Sequence, residues 1–329
     1  MIRPKLKVND KVSLQSLSGG MAGDKRFYHR FLIGKDRIEH IFNLEVIASP
    51  NSLKGFDFIN DNPDKRAKDL MDAINDPTIQ GIIANIGGID SSRIWPFIDL
   101  KSIKAYPKIL VGYSDITSVH LMFYKAGVQS YYGPAVLDGF AENVKMHQYT
   151  IDSFNKAVFK NATQHIESAN EWTSEFLDFA DESLDQTSRK MNKEKQGFIF
   201  SRSTGAISGH LIGGNLDTII KIKDEEFFPN LSEWNNAIIF LETSEEKMKP
   251  EIFRKSILSL QKEIDVCSGL IFGKPKDETY FNEYLSIIQE LIIKPFVFNM
   301  NFGHTAPLLT IPYGGNCMIN FKNKKIKIS

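Results

Sequence analysis

Three residues of the types that build acyl-transfer sites stand at the ends of apolar runs. Ser114 lies in "VGYSDIT" (111–117), between a short apolar run and a helix-like stretch. A serine hydroxyl is a weak nucleophile and needs a base within hydrogen-bond reach. A tight strand-to-helix turn would expose its oxygen. It would also aim the backbone N–H of Asp115 at the same point, because a helix N-terminus leaves donors unpaired. The stretch has the setting of a nucleophile elbow but lacks the second glycine of G-x-S-x-G. Helix capping by Ser114 is the competing reading. Gly87 and Gly88, in "NIGGIDSS" (85–92), would let backbone approach a ligand, and a glycine N–H there would serve as a second oxyanion donor. A plain turn is the alternative.

The base must come from seven histidines. His29 and His40 fall in a charged amphipathic stretch and read as surface. His120 lies six residues beyond Ser114 on the same helix and reads as packing. His147 and His165 have polar surroundings, and His210 opens "HLIGGN". His304, in "NFGHTAP", follows an apolar run and sits in a loop that can carry an imidazole over a cleft. An orienting acid is offered by Glu242, at the end of "AIIFLETSEE" (237–246), where a histidine N–H would satisfy a carboxylate otherwise costly to bury. Glu245 and Glu246 read as solvated.

The elements that must hold these groups follow from periodicity. Short apolar runs at 11–17, 44–49, 80–86 and 107–113 read as strands. Helical patterns lie at about 26–42, from Asp64 (a plausible N-cap) to Asp76-Pro77, and from about Asp115 to Ala126, with Gly127 as terminator. This alternation predicts a doubly wound parallel sheet. Ligands bind outside the carboxyl ends of such strands, so the turns at 85–92 and 112–115 share a crevice if their strands are neighbours. After a polar stretch at 161–196, read as a linker or surface excursion, come strand-like pieces and helical segments near 250–264 and 277–292. The expected fold is thus α/β. Residues 1–160 form an N-terminal parallel domain carrying the serine, and residues 197–329 a strand-rich C-terminal α/β domain carrying the acid and base.

Composition excludes several function classes. The chain has 329 residues, 42% hydrophobic, with 40 basic residues balancing 40 acidic ones, so no global field draws in a nucleic acid polymer or an anionic membrane. No secretory signal or membrane-spanning run is read from the sequence. Cys267 and Cys317, without CxxC spacing, read as free thiols, and a cytoplasmic location is expected. HExxH, P-loop and GxGxxG patterns are absent, so neither metal nor cofactor is expected.

The sequence resembles the LD-carboxypeptidase-type serine peptidases, and among them the branch of microcin C immunity peptidases. The likeness runs through "RAKDLMDAINDPTIQGIIANIGGIDSSRIWPFID", "PKILVGYSDITSVHLMFYKAG", "YYGPAV", "LIGGNLDT", "IIFLETSEE" and "FGHTAP", in order and spacing. It implies Ser114 as nucleophile, Glu242 as triad acid and His304 as base. The oxyanion donors would be the N–H groups of Asp115 and Gly88. Gly87, Trp172 and Asn215 are carried as substrate-binding residues, Trp172 by stacking on a base. A homodimer is implied as well. Murein-cleaving members usually have an arginine directly before the glycine pair, where this chain has Ile86. With the polar insert and its "EWTSE", this points to peptidyl- or aminoacyl-adenylate substrates. Release of D-alanine from a murein tetrapeptide is the alternative. A peptide-binding protein without catalysis is the competing class, against which all three triad residues argue.

Overall fold

A computed structural model describes residues 1–160 and 162–329. The first part of the chain runs β1 (Lys11–Gln15), α1 (Tyr28–Phe42), β2 (Glu45–Ala48), α2 (Gly55–Asp61), α3 (Pro63–Asn75), β3 (Ile79–Ala84), α4 (Leu100–Ala105), β4 (Ile109–Gly112), α5 (Thr117–Lys125), β5 (Ser130–Tyr132) and α6 (Gln148–Phe154). Helix α3 starts one residue before the expected Asp64, with Asn62 at the N-cap. Proline at the first helical position needs no hydrogen-bonded N–H, which leaves Asp64 in the first turn beside the positive helix end.

Strands β1 to β5 are parallel and lie in the order β5-β4-β3-β1-β2. Alternate residues face opposite ways. Ile82 and Leu110 pack with Ala67, Leu70 and Ile74 of α3 and Val119 and Met122 of α5. Ile83 and Val111 pack with Phe31, Ile38 and Phe42 of α1 and Phe154 of α6. Helices therefore cover both faces, as the doubly wound reading requires. The order reverses between β1 and β3, where open α/β sheets form ligand crevices. Strands β3 and β4 are neighbours, so the turns after them do open side by side.

The chain continues through β6 (Gln164–Ile166), β7 (Glu171–Trp172), β8 (Asn192–Lys193), β9 (Ile199–Phe200), β10 (Ala206–Asn215), α7 (Leu216–Ile222), β11 (Ile238–Glu242), α8 (Pro250–Ser259), α9 (Gln261–Val266), β12 (Gly269–Gly273), α10 (Phe281–Leu291), β13 (Phe296–Met300), β14 (Ile311–Tyr313), β15 (Asn316–Asn320) and β16 (Lys325–Ile328). The second sheet has the order β6-β16-β15-β10-β11-β12-β13-β9, parallel from β10 to β13. The polar stretch after residue 161 is more built than a linker: β6 joins this sheet and β7 pairs with β8. Strand β14 crosses back to pair with β5 of the first sheet. One apolar cluster runs through both sheets, with Val119 and Leu121 of α5 packed among Leu211, Leu216 and Phe240. Helix α5, which follows Ser114, is thus clamped between the two halves. Among the described residues, no helix is long and apolar enough to cross a membrane.

Candidate active site

The turn between β4 and α5 is tighter than periodicity suggested. Residues Ser114–Ile116 form a 3-10 turn and the α-helix begins only at Thr117. Ser114 has φ 60°, a left-handed conformation that costs a non-glycine residue free energy and persists only where the surroundings enforce it. The surroundings do so: Ser114 N–H donates to the Tyr132 hydroxyl at 2.9 Å, and Ser114 C=O accepts from Thr117 Oγ1 at 2.7 Å. The hydroxyl does not cap the helix. Among the described residues Ser114 Oγ has no hydrogen-bond partner. The side chain of Asp115 points inward, accepting from Ser18 Oγ at 2.6 Å and Ser91 N–H at 2.7 Å, which ties the elbow to the neighbouring turns.

The glycine pair lies against this elbow. A Cβ on Gly87 would fall 3.0 Å from Ser114 Cβ, 3.1 Å from its Oγ and 3.6 Å from Asp115 N. Any side chain at 87 would fill the space over the serine oxygen. Gly87 C=O accepts from Gly19 N–H at 2.9 Å across the switch point, while the N–H groups of Gly87 and Gly88 have no acceptor among the described residues.

Glu242 ends β11 beside Asn215, its register partner on β10. Its side chain is 1% exposed and fully occupied. Oε1 accepts from Tyr132 Oη at 2.6 Å and Asn215 Nδ2 at 2.9 Å, and Oε2 from His304 Nδ1 at 2.8 Å. Three donors are what an isolated buried carboxylate needs. Tyr132 is the link the sequence did not disclose, since one hydroxyl serves both the serine backbone and the acid. His304 follows β13, and its loop must cross the end of β12 to reach Glu242. Glycine makes that crossing possible: at Gly303 (φ 98°) a Cβ would sit 2.9 Å from Glu242 Cβ. The insert braces the same loop, as Thr173 and Ala306 exchange two backbone hydrogen bonds of 2.8 Å. The His304 ring centroid lies 5.2 Å from that of Tyr113, the residue before the serine. Burial pushes the imidazole down, but Glu242 and Glu245 outweigh it and raise His304 to about 10.

Glu245 is the largest departure from expectation. It does not simply meet water: its Oε2 lies 2.9 Å from His304 Nε2, and that contact holds the Glu245 carboxyl down at about 2.

The substrate-binding residues read from the sequence fare differently. Gly87 lines the serine. Asn215 is spent internally, donating to Glu242 and accepting from Thr218 N–H at the start of α7, so it positions the acid instead. Trp172 is 6% exposed, with Lys274 Nζ 4.4 Å from its ring centroid, so packing and a cation–π contact occupy it in this arrangement. His120 is buried between Ser130 Oγ and Gly112 C=O, and burial lowers it to about 4. His29 is only part-exposed, and Asp185 of the insert holds it at 2.6 Å.

Comparison with known proteins agrees with this architecture. Residues 12–133 match the LD-carboxypeptidase N-terminal domain and residues 208–319 the LD-carboxypeptidase C-terminal domain. The chain is 30% identical over 276 residues to the microcin C7 self-immunity protein MccF of Escherichia coli, covering 80% of this chain and 78% of that one. An MccF-like protein from Streptococcus pneumoniae, solved in complex with AMP, superposes with a TM-score of 0.91 at 32% identity, over 98% of this chain and 99% of that one. MccF in complex with aspartyl sulfamoyl adenosine gives 0.85 at 25% identity, over 100% and 98%. The chain belongs to the LD-carboxypeptidase family of serine peptidases, in its MccF-like branch.

Proposed function

We propose that this hydrolase cleaves the acyl link between an aminoacyl or peptidyl group and a nucleotide, with Ser114 as nucleophile, His304 as base and Glu242 as the orienting acid. Ser114 Oγ bonds to the acyl carbon as its proton passes to His304 Nε2. The nucleotide-side group then leaves with that proton, and water reverses the sequence to release the acid. The N–H groups of Asp115 and Gly88 serve the oxyanion. Glu242 keeps Nδ1 protonated and stabilises the imidazolium. The division into a serine-bearing unit and an acid- and base-bearing unit, a homodimer and a cytoplasmic location belong to the same reading.

The observation that carries the substrate class is the AMP held by the relative of 32% identity and nearly full overlap. The cation inventory near the glycine pair supports it. Ile86 offers no charge, Arg66 and Arg93 are each engaged by Asp90 at 2.8 Å, and Lys221 Nζ donates to Ile89 C=O. A free terminal carboxylate needs a planar, available guanidinium or its equivalent, whereas a nucleotide-linked acyl group does not. The test compares kcat/KM on an aminoacyl adenylate with that on a murein tetrapeptide ending in D-alanine. A preference for the adenylate is expected; a clear preference for the tetrapeptide would overturn the reading and direct attention to Arg93.

A further inference from the structure

Both ring nitrogens of His304 are held by carboxylates. Nδ1 meets Glu242 Oε2 at 2.8 Å and Nε2 meets Glu245 Oε2 at 2.9 Å. Only the Nδ1 contact is a hydrogen bond, but a ring with a carboxylate within ion-pair distance of each nitrogen is held as an imidazolium. It cannot take a proton from a serine, and the nitrogen that must do so is the one Glu245 occupies. The two carboxylates differ in freedom. Glu242 is 1% exposed and fixed by two further donors, while Glu245 is 53% exposed on the turn after β11. Release of His304 Nε2 therefore falls to Glu245.

We infer that Glu245 is a positioning residue that holds His304 off Ser114 in the unliganded enzyme and lets go when a substrate enters. This rests on the proposed roles of Ser114 and His304. The charged and titratable groups around the contact leave little else to do the holding. Glu242 faces the ring from β11. Tyr113 faces it from the end of β4, and its hydroxyl donates to Asp138. Lys276, before α10, is an attractive charge for Glu245, and its neighbour Asp277 is paired with Lys247 at 2.6 Å. When Glu245 swings out into solvent, the imidazole is left with one carboxylate. The ring then loses a proton more readily, which is the state a general base requires.

The test is Glu245→Gln, which keeps the side chain's size and removes its charge. Removing a neighbouring negative charge must lower the pH at which the imidazolium gives up its proton. The His304 ring signal, followed by NMR, is expected to titrate at least about one pH unit lower, and the acidic limb of kcat/KM to move with it. Activity measured on that limb then rises about tenfold. Glu246→Gln, a charge change at the next exposed position, should leave both in place. Glu245→Ala is the second variant, expected to give the same shift should the glutamine rebuild the contact. An unchanged His304 titration in both Glu245 variants would overturn the inference, as would a shifted titration with an unmoved limb. Activity surviving in Ser114→Ala would bring down the serine assignment instead, and the NMR titration would still report whether Glu245 holds the ring.

Discussion

Gly87→Ala tests whether the space over Ser114 Oγ is where the substrate carbonyl goes. The added methyl carbon would stand 3.1 Å from Oγ and 3.0 Å from Ser114 Cβ. An acyl carbon must come within about 3–3.5 Å of the attacking oxygen, so methyl and substrate claim one volume. Relief by retreat is restricted, because Ser114 is fixed by Tyr132 and Thr117 at a left-handed φ. A misplacement of the acyl carbon by about 1 Å alone costs about 10² in rate, and its exclusion from the attack distance costs more. A fall in kcat/KM of about 10³ or more is expected, equivalent to ~4 kcal/mol of transition-state stabilisation. Stability should suffer far less, by about 1–3 kcal/mol, because the overpacking touches one side chain at the edge of a turn. The assay is steady-state kcat/KM on an adenylate substrate, beside thermal unfolding and labelling of Ser114 by a fluorophosphonate. A folded Gly87→Ala enzyme within about threefold of wild-type kcat/KM would refute the placement of the reacting carbonyl.

Ser114→Gly and Ser114→Ala should both be inactive yet differ in stability. Glycine accepts φ 60° without a Cβ penalty, so Ser114→Gly should be the more stable by about 1 kcal/mol in denaturant titration; equal stabilities would mean that the left-handed elbow is not held in solution. Glu242→Gln should lower kcat/KM by about 10³–10⁴, less than loss of the serine or histidine, because the acid orients without reacting. A loss as large as that of Ser114→Ala would assign Glu242 more than an orienting role.

Much of the scaffold was legible because it depends on local pattern. The strands at 11–15, 79–84 and 109–112 are short apolar runs closed by glycine or polar turns, and helices α1, α3 and α5 carry the expected spacing. Ser114, Glu242 and His304 stood out because each ends an apolar run, where a strand delivers a side chain to a crevice. What escaped depends on chain segments far apart in sequence. Nothing near Tyr132 announces that its hydroxyl will join Ser114 N–H to Glu242, 110 residues away. The same holds for His29, satisfied by Asp185, 156 residues on, and for β14, which returns to the first sheet. Asn215 was noticed for its motif, but its task became visible only in the register that sets it beside Glu242. Glu245 was misread for a different reason: an acid run after a strand is ordinarily solvated, and only the return of the 301–307 loop gives it a partner.

The distribution of these contacts bears on how the site can move. The serine stands on the first sheet, the acid and base on the second, and an interface of that kind often implies a hinge. Here α5 lies in one apolar cluster with both sheets, β14 belongs to the first sheet by pairing and to the second part by sequence, and Tyr132 bonds across the seam. Opening that seam would expose buried aromatic surface and strip a donor from a buried carboxylate. Rigid-body closure is therefore the costlier way to bring His304 to Ser114. The cheaper motion is local, since Glu245 is 53% exposed and its carboxylate meets water once it leaves His304, with no packing broken. A site built this way keeps its acid, elbow and oxyanion donors in place and confines the change on substrate entry to one side chain and the imidazole it releases.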